Sequence, residues 1–428
     1  MKRRLVVQKY GGTSVGTLER IKNVAQRVKR AKESGADVVV VVSAMSGETD
    51  KLLNMARQLT ESPKRREVDL LLSSGERISS ALLTIALNAA DCPAVSLTGR
   101  QMGLLTDSTH TRARIKQIDG ARAKKILQEN HVVVVAGFQG VNEHGDVTTL
   151  GRGGSDTSAV ALAAALKADE CEIYTDVDGV YTADPNVVAD ARKLDTVSYE
   201  EMLEMASLGA KVLQIRSVEF AKNFNMPIIV RSSYNEEAGT LICKEDTKME
   251  QPVVSGVMCD KNQSKITILG VPDQPGIAAK VFGALADAEL SVDMIIQNVS
   301  AEKHTDISFT LPTADVVEAM EIMKKAAPSI HAGGVSFNSD ISKISIVGAG
   351  MRSHSGVAAR MFRALSKENI NIIMISTSEI RISCIIEKKY GETATRALHK
   401  EFGLSVGVSS AKSRPSKIKP HQRKKAVG

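Results

Sequence analysis

The sequence predicts an α/β protein in which a mostly parallel sheet, covered by helices on both faces, precedes two ferredoxin-like units. Two observations predict this fold class. Between residues 5 and 242, apolar β-branched runs alternate with helical stretches, which is typical of a three-layer αβα sheet. Beyond a charged segment at residues 244–252, the chain repeats itself: Gly-Ile-Ala-Ala-Lys-Val-Phe at 276–282 resembles Gly-Val-Ala-Ala-Arg-Met-Phe at 356–362. A repeat of this length implies two copies of one small unit.

The elements of the first region follow from the residue pattern. Five β-branched runs predict strands at residues 5–7, 38–42, 132–135, 172–175 and 228–230. The intervening stretches predict helices at residues 18–34, 67–88, 113–129, 159–169 and 199–223. In sheets of this kind, ligands bind beyond the carboxyl ends of the strands. Two glycine-rich turns fall at such ends.

Each copy of the repeat reads strand, helix, strand, strand, helix, which is a ferredoxin-like order. The second copy lacks a final strand, and residues 253–258, which precede the first copy, can supply it. The two units would then interlock. The predicted divisions of the chain are a first region at 1–245, a linker and shared strand at 246–255, repeat units at 256–338 and 339–410, and a tail at 411–428.

The composition argues against several classes of protein. The 428 residues are 43% hydrophobic, which supports packed cores. The net charge of +7 equals the seven Lys and Arg residues of the tail, which holds no Asp or Glu, so the rest of the chain is formally neutral. Aromatic residues make up only 3% and Trp is absent, which argues against nucleic-acid binding. The tail is predicted to be a solvated chain end.

Cysteine and histidine usage predicts free thiols and no metal site. The five cysteines lie far apart without a Cys-x-x-Cys pair, which indicates a reducing compartment. His110, His131 and His144 share no metal-ligand spacing. Too few apolar residues follow the basic start for a secretory signal, and the longest apolar run is too short to span a membrane. A soluble cytoplasmic protein is expected.

The first glycine-rich turn follows the first predicted strand. Lys9 stands at the strand end, and Gly11, Gly12 and Ser14 come directly after it. Glycines let backbone N–H groups converge on an anion, and an ammonium group neutralises phosphate oxygens during transfer. The alternative is a surface lysine before an ordinary tight turn. The Walker A pattern does not occur in the sequence, so this turn is not a P-loop.

The second glycine-rich turn, residues 151–154, precedes an alanine-rich helical run. Arg152 can bind a carboxylate through two parallel hydrogen bonds. Asp156 can hold nearby lysine ammonium groups in place. The alternative is that Ser155 or Asp156 merely caps the helix. Two such turns in one region indicate that more than one negatively charged group is bound at once.

Two further segments each allow two interpretations. The loop at residues 175–185 offers hydroxyls, carboxylates and tyrosines at a strand end, which suits a ribose and a base but also an ordinary surface loop. It opens like a calcium loop, but Val187 stands where the closing Glu belongs. Glu76 lies in a Ser-Ser-Gly-Glu-Arg segment that interrupts a helical pattern. It can bind a substrate ammonium group or form a solvated ion pair with Arg77.

Five motifs, in this order, resemble those of the aspartokinases. They lie at residues 9–15, 42–50, 151–159, 175–185 and 209–213. The segments at 273–276 and 353–356 resemble the tandem ACT domains of that family. The likeness covers nearly the whole chain except the tail. It implies an amino-acid kinase domain followed by two ACT domains, and it favours the binding-site interpretations of Glu76 and of the loop at 175–185.

The resemblance implies transfer of the γ-phosphoryl group of ATP, with Mg²⁺, to the side-chain carboxylate of L-aspartate, the first step toward lysine, threonine and methionine. Because two anions must meet, the protein has to supply positive charge and alignment rather than a strong base. The matching catalytic residues are Lys9, Lys211 and Asp156. The matching ATP-binding residues are Lys9, Gly11, Gly12, Ser43, Thr175, Asp176, Tyr181, Asp184 and Lys211. The matching aspartate-binding residues are Thr49, Glu76, Arg152, Gly153, Gly154 and Ser155.

The nucleotide loop departs from the family pattern at one position. The family often has Arg directly after the Asp-Pro pair of this loop, where this chain has Asn186. A phosphate or base contact would then be missing or replaced. Arg192 and Lys193 are the candidate replacements.

The resemblance also implies inhibition by lysine, threonine or both at the ACT units. The matching effector positions are Asp273, Gly276, Ile277, Ala278, Asp293, Gln297 and Asn298 in the first unit, and Gly356, Val357, Asn371, Ser376 and Glu379 in the second. The alternative is that Gly276 and Gly356 simply cap helices. ACT units of the family pair across subunits, which implies a homo-oligomer, with or without a separate ACT-only subunit, and no membrane or nucleic-acid partner.

Two other functions are compatible with parts of the pattern. The first is a kinase for another acid, such as glutamate. The second is a catalytically silent amino-acid sensor that uses its basic tail on nucleic acid. The Ser-Ser-Gly-Glu segment and the ACT pair argue against the first function. The presence of Lys9, Arg152, Asp156 and Lys211 argues against the second.

Overall fold

A computed structural model describes residues 3–210, 212–245, 252–297 and 304–405. Lys211, Asn298 and the tail at 411–428 therefore lie outside the described residues. The described part of the first region contains twelve strands in chain order: β1 Leu5–Tyr10, β2 Asp37–Val42, β3 Ala94–Leu97, β4 Leu104–Thr106, β5 Ile115–Ile118, β6 Val132–Ala136, β7 Gln139–Val141, β8 Val147–Thr149, β9 Glu170–Thr175, β10 Thr196–Ser198, β11 Ile228–Ser232 and β12 Thr240–Cys243. Its helices are α1 Leu18–Glu33, α2 Glu48–Leu59, α3 Arg65–Ala89, α4 Ala121–Gln128, α5 Gly154–Leu166, α6 Tyr199–Ser207 and α7 Ile215–Phe224.

Eight of these strands form one sheet in the order β10-β12-β11-β9-β1-β2-β6-β3, and a smaller sheet has the order β5-β4-β7-β8. In the large sheet the pairing of β11 with β12 is antiparallel and the other strand pairs are parallel. Helices α4 to α7 pack on one face, and α1 and α3 pack on the other. Because both faces are covered, the five valines at 38–42 are all fully enclosed. The predicted three-layer, mostly parallel αβα fold is confirmed.

Three predicted helices differ from the observed ones. The helix predicted at 113–129 is wrong in its first half, where β5 pairs with β4 instead, and α4 begins only at Ala121 after Gly120 in a left-handed conformation. The helix predicted at 199–223 is two helices, separated by the turn that contains Gly209. The helix predicted at 159–169 already begins at Gly154, so its first turn carries Ser155 and Asp156.

Residues 252–297 and 304–405 of the second region contain eight strands: β13 Gly256–Asp260, β14 Gln263–Pro272, β15 Ile295–Gln297, β16 His304–Pro312, β17 Gly334–Asn338, β18 Ile341–Val347, β19 Met374–Thr377 and β20 Arg381–Glu387. Its α-helices are α8 Ile277–Asp287, α9 Val316–Ala326, α10 Val357–Lys367 and α11 Gly391–Glu401. The sheets have the orders β15-β16-β14-β17 and β13-β18-β20-β19. Both sheets are antiparallel. Each therefore has the ferredoxin-like arrangement predicted from the repeat.

The fourth strand of the second unit comes from upstream of the first unit. β13 pairs antiparallel with β18, with Gly256 opposite Val347 and Asp260 opposite Lys343. The strand therefore begins three residues later than the segment predicted to supply it, residues 253–258. It lies inside the range 256–338 that was predicted for the first unit alone. The remaining domain boundaries stay predictions.

The second ACT-like sheet packs directly on α6 of the first region. Met202 and Met205 of α6 share one apolar core with Met258 of β13 and Val347 of β18. The buried carboxylate of Glu201 accepts hydrogen bonds from Ser255 Oγ at 2.6 Å and from the Ala349 amide at 3.1 Å. Its other oxygen accepts from Ser198 and completes a capping box at the start of α6. The two regions are thus joined by packed side chains and by a fully hydrogen-bonded buried charge.

Within the described residues, α3 is the one helix whose length and composition would allow it to cross a membrane. Its residues Leu83 and Leu87 are fully enclosed and pack in one cluster with Val38 and Val40 of β2. The helix also carries the buried carboxylates of Asp69 and Glu76. These contacts are those of a core helix that covers one face of the large sheet.

Candidate active site

The carboxyl ends of the central strands bring the two glycine-rich turns together. Alternation along β1 places Lys9 on the same face as Val7, which packs in one core with α5. Lys9 is 8% exposed, and its Nζ lies 2.6 Å from Oδ1 of Asp156 in the first turn of α5. A buried ammonium group thus stands where β1 ends and α5 begins. Its charge adds to the partial positive charge of the helix N-terminus.

The first glycine-rich turn lies against the turn that follows β2. The Ser43 amide donates to the Tyr10 carbonyl at 3.1 Å. A Cβ at Gly12 would lie 2.8 Å from the carbonyl oxygen of Ala44, and one at Gly75 of α3 would lie 2.7 Å from the Ala44 Cβ. The two glycines therefore allow the β1 turn, the β2 turn and α3 to pack in adjacent layers. Ser14 in the first turn is 2% exposed, and its Oγ has no hydrogen-bond partner in the described part of the chain.

We expect Gly12→Ala to weaken nucleotide binding and to destabilise the protein. The added Cβ would push the Ala44 carbonyl, which is backbone and cannot swing away, and overpacking of this kind costs about 1–3 kcal/mol. The apparent KM for ATP should rise roughly tenfold, and the melting temperature should fall. Steady-state kinetics and thermal unfolding measure the two effects.

Gly283 provides the matched control for this substitution. It lies inside α8, and a Cβ there would meet nothing within 4 Å. Gly283→Ala should therefore leave the KM for ATP unchanged and raise the free energy of unfolding by about 0.5–1 kcal/mol, because alanine loses less backbone entropy in a helix. An unchanged melting temperature in Gly12→Ala would contradict the close packing of the two turns, and an unchanged KM for ATP would contradict a place for this turn beside the nucleotide.

Glu76 is buried beneath the Ala44 turn. The segment interrupts the helical pattern of the sequence but not the helix: the helix predicted at 67–88 is confirmed as α3, which runs without a break from Arg65 to Ala89. Its Oε1 accepts a hydrogen bond from the Ala44 amide at 3.0 Å, and its Oε2 has no partner among the described residues. The solvated pair with Arg77 is also wrong: Glu76 is 3% exposed, and Arg77 Nε donates instead to Gln139 Oε1 at 3.3 Å. Burial raises the pKa of Glu76 to about 7, and the hydrogen bond from Ala44 opposes that shift.

The second glycine-rich turn presents Arg152 to solvent. Gly153 has φ +69°, and a Cβ there would lie 2.7 Å from the side chain of Gln214, whose Nε2 donates to the Arg152 carbonyl at 2.8 Å. The helix α5 is capped by Gly153 without a side-chain hydrogen bond. The alternative that Ser155 or Asp156 serves only as a cap is therefore wrong. Gly154 and Ser155 are both buried at the start of α5, and Thr49 lies in the first turn of α2, partly exposed.

The loop after β9 lines a cavity of about 710 Å³. Thr175 is the last residue of β9, and its Oγ1 donates to Asp176 at 3.0 Å. The hydroxyl of Tyr181 donates to Asp178 at 2.9 Å, which fixes its ring beside the cavity. Asp184 accepts from both the amide and the side chain of Asn186, at 2.9 and 3.0 Å. Asp176, Tyr181, Asp184 and Asn186 are all among the lining residues.

The candidate effector residues lie mostly at the starts of α8 and α10. Gly276 and Gly356 cap these helices with φ +92° and +84°, and Ile277 and Val357 are buried directly behind them, whereas Asp273, Ala278, Gln297 and Asn371 are exposed. Two acidic candidates are already paired: Asp293 with the buried Lys343 of β18, and Glu379 with Arg352 at 3.3 Å. Ser376 lies in β19. Glycine capping is therefore observed at both positions and leaves effector binding open as a prediction.

Sequence reasoning missed two parts of the site. The first part is the hydroxyl of Ser14, which has no hydrogen-bond partner among the described residues. The sequence placed Ser14 only in the turn that follows Lys9. The cavity is also lined by residues 257–262, Glu392 and Thr395 of the second region. These residues follow the loop at residues 175–185 by about 75 to 210 positions in the chain, and nothing in their local pattern distinguishes them from ordinary strand and helix residues.

Comparisons with known proteins identify the families of the two regions. The amino acid kinase family model matches residues 4–232, and the ACT domain model matches residues 266–326 and 344–402. An aspartokinase of Pseudomonas aeruginosa is 58% identical over 404 residues, which cover 94% of this chain and 98% of that protein. An aspartokinase of Corynebacterium glutamicum is 53% identical over 405 residues, which cover 94% of this chain and 96% of that protein.

Solved structures show the same likeness. The crystal structure of E. coli aspartokinase III in complex with aspartate and ADP, in its R-state, aligns with a TM-score of 0.79 and 27% identity over 93% of this chain and 99% of that chain. The same enzyme in complex with lysine and aspartate, in its T-state, aligns over the same shares with a TM-score of 0.73. Both family models, the relatives and the fold point to one assignment. The chain belongs to the amino acid kinase family and, within it, to the aspartokinases: it is an aspartate kinase.

Proposed function

We propose that the enzyme transfers the γ-phosphoryl group of ATP to the side-chain carboxylate of L-aspartate, forms 4-phospho-L-aspartate, and so begins the route toward lysine, threonine and methionine. The observation that carries this proposal is the Lys9–Asp156 pair, a buried ammonium group 2.6 Å from a carboxylate where two glycine-rich turns meet. Charge at this place serves the reaction because an anionic nucleophile must approach an anionic phosphate.

The proposed mechanism divides the work among the residues already located. Lys9, held by Asp156, offsets the negative charge of the phosphoryl group in flight, together with Lys211, which lies outside the described residues. Gly11, Gly12 and Ser43 lie along the phosphates, where the two glycines allow the chain to approach closely. The amides of Gly11 and Ser43 already donate to the Tyr174 and Tyr10 carbonyls. The aspartate carboxylate is already ionised at neutral pH, so alignment of the two reactants supplies most of the remaining rate.

The substrate is gripped from both ends in this proposal. Arg152, exposed beside the turn, binds a carboxylate of aspartate through its guanidinium fork. The unpartnered Oε2 of Glu76 accepts a hydrogen bond from the aspartate ammonium group, and Thr49 lies at the start of the neighbouring helix. The orphaned carboxylate oxygen supports this role, because buried polar atoms without partners are rare and call for a ligand.

We propose that Mg²⁺ enters as part of the Mg-ATP substrate. In the described part of the chain, no group of three or more His, Cys, Asp or Glu side chains could hold a metal ion. Mg²⁺ is commonly bound through substrate phosphates, water and only one or two carboxylates, which fits this site. The ion would then offset phosphate charge alongside Lys9.

A trapping experiment separates this function from its two alternatives. The protein is incubated with ATP, magnesium and either aspartate or glutamate, and hydroxylamine is added to convert any acyl phosphate to a hydroxamate. Hydroxamate from aspartate alone supports the proposal. Hydroxamate from glutamate would support a kinase for the other acid, and none from either would support a silent amino-acid sensor.

We further propose that lysine, threonine or both inhibit the enzyme at the ACT units. The E. coli relative has been crystallised both with ADP and aspartate and with lysine and aspartate, which supports an effector-dependent equilibrium. An effector acts only if it binds the inhibited and active states unequally.

Asp273→Ala should relieve inhibition at little cost to catalysis. Asp273 is exposed in the loop before α8, and we expect its carboxylate to bind the effector's ammonium group. Loss of one such charged hydrogen bond costs about 1.5–3 kcal/mol, so the half-inhibitory effector concentration should rise roughly tenfold or more. Inhibition curves for lysine, threonine and their mixture measure the effect, and unchanged curves would rule out this site.

We propose that the subunits associate through the ACT units, with or without a separate ACT-only subunit. The edge strands β15 and β19 display Ile295 and Ile375, which are 50% and 43% exposed, and exposed apolar edges favour pairing with another chain. We also propose a cytoplasmic location, in keeping with Cys92, Cys171, Cys259 and Cys384, which form no disulfide bond.

A further inference from the structure

The cavity proposed to bind the nucleotide is shared between the first region, which we call the catalytic region, and the second region, which we call the regulatory region. The loop at residues 176–187 and the turn after α6 line part of it. β13 and the turn that follows it, with Glu392 and Thr395 of α11, line another part. Because β13 is an edge strand of the second ACT sheet, one wall of the cavity belongs to that sheet.

This wall is fixed against the nucleotide loop by direct contacts. The Val257 amide of β13 donates to the Thr182 carbonyl at 2.7 Å. The Thr182 hydroxyl also lies 2.9 Å from Nε2 of His399, a buried residue of α11. A Cβ at Gly209 would lie 3.8 Å from the Cβ of Asp260 at the end of β13. The wall therefore has a defined place beside the loop.

Charge in the cavity is unevenly distributed. Among the described lining residues, the acidic side chains are Asp176, Asp178, Asp184, Asp260 and Glu392, and Lys261 is the one Lys or Arg. Arg192 and Lys193, the candidate replacements for the missing arginine at position 186, are not among them, and Lys193 pairs instead with Asp178 and Glu237. A nucleotide anion would be repelled by these carboxylates, so the position of the Lys261 ammonium group matters.

Lys261 is held by a carboxylate of the regulatory region. Its Nζ lies 2.8 Å from Oε1 of Glu392. The hydrogen bond to Glu392 raises the pKa of Lys261, and the charge of Asp184 on the nucleotide loop contributes to the same direction. Lys261 and Asp184 also line the same cavity, so the ammonium group and this proposed nucleotide-binding residue border one space.

We propose that Lys261 is a nucleotide-binding residue contributed by the regulatory region, and that Glu392 is the residue that positions it. The inference rests on the proposed function, since it takes this cavity to be the ATP site. Lys261 supplies positive charge toward the nucleotide anion, and Glu392 both orients that charge and competes for it. The second ACT unit, which carries Glu392, thereby sets ATP affinity from within the site.

Two substitutions that break the same ion pair test the inference by the sign of their effects. In Lys261→Met the cavity loses the Lys261 cation, so the KM for ATP should rise about fivefold. In Glu392→Gln the ammonium group is released and a repelling carboxylate is removed, so the KM for ATP should fall. The KM for aspartate should stay constant in both variants, Lys261→Arg should retain near-normal KM values, and both shifts should shrink at high salt. A Mg-ADP titration of each variant should follow the same signs.

A merely structural ion pair would give a different pattern. Both substitutions would then shift the KM for ATP in the same direction or leave it unchanged, and either result overturns the inference. Lys389→Met is the matched control, because Lys389 pairs with Glu387 at 2.7 Å and does not line this cavity; its KM values should not move. If the unaltered enzyme forms hydroxamate from aspartate but the KM for ATP is unchanged in both variants, the inference fails and the proposed function stands. If the unaltered enzyme forms no hydroxamate, the proposed function fails as well.

Discussion

Lys9→Met should reduce kcat by roughly 100- to 1,000-fold while the KM for aspartate changes little. The ammonium group is proposed to offset charge that develops on the phosphoryl group in the transition state, and loss of one such preorganised group commonly costs this much. Methionine keeps the length and apolar stem of lysine, so packing around β1 is largely preserved. Single-turnover and steady-state rates of hydroxamate formation measure the effect.

Asp156 needs a control in this experiment, because it is also buried and would lose its partner. The substitution leaves that carboxylate without a compensating charge, which by itself destabilises the fold. The double variant Lys9→Met with Asp156→Asn should restore the melting temperature but not the rate. Lys22→Ala, on the exposed face of α1, should change neither quantity. Near-normal turnover in the folded single variant would contradict the role of Lys9.

Glu76→Gln should raise the KM for aspartate by about 10- to 100-fold and abolish its dependence on pH near neutrality. A hydrogen bond to a charged group is worth about 1.5–3 kcal/mol, and the amide cannot replace the carboxylate as partner of the substrate ammonium group. With a pKa of about 7, the wild-type carboxyl gains its charge as pH rises through neutrality. The value of kcat/KM for aspartate should therefore rise through pH 7 and level off above pH 8, and in Glu76→Gln it should be flat.

The stability of the folded protein should change with pH in the opposite direction: it should fall as pH rises, whereas kcat/KM for aspartate rises. The folded protein holds a proton on Glu76 between its ordinary pKa of 4.5 and about 7, whereas the unfolded chain has released it. The unfolded state then binds fewer protons, so the free energy of unfolding falls as pH rises through this window, by about 3 kcal/mol in total. Glu76→Gln removes this cost, so the variant should melt higher than the wild type at pH 8 and close to it at pH 4. If Glu76→Gln melts at a lower temperature than the wild type at pH 8, burial does not destabilise the charged form of this carboxyl group.

Much of the fold could be predicted from the sequence because its signals are local and repeated. The valine runs specify buried parallel strands, and the repeat at 276–282 and 356–362 specifies two similar units. The helix at 199–223 could not be divided correctly, since residues 208–214 keep helical composition and only Gly209, with φ +95°, marks the turn. Residues 113–120 form part of a small sheet whose partner strands at 104–106 and 139–141 are too short to produce a period of their own.

The sequence predicted which residues form the candidate site, and these assignments stay predictions; the environment of those residues could not be predicted. Lys9 and Asp156 were assigned from turns more than 140 positions apart, and the sheet topology brings them together. The burial of Glu76 was not predictable, because it depends on Ala44 lying over α3, a contact between distant parts of the chain. The contribution of the regulatory region to the cavity depends likewise on the docking of β13, which no local composition encodes.

The chain order of β13 makes the first ACT unit an insertion within the second. Asp260, where β13 ends, lies opposite Lys343 near the start of β18, so the intervening unit leaves and re-enters the second sheet at neighbouring points. Excision of residues 263–338 would leave two adjacent antiparallel strands that a tight hairpin could join, and the second unit would keep its four strands. A cut between the two units would instead separate β13 from its own sheet. The two copies are therefore not exchangeable modules, and only one of them can be removed without opening the other.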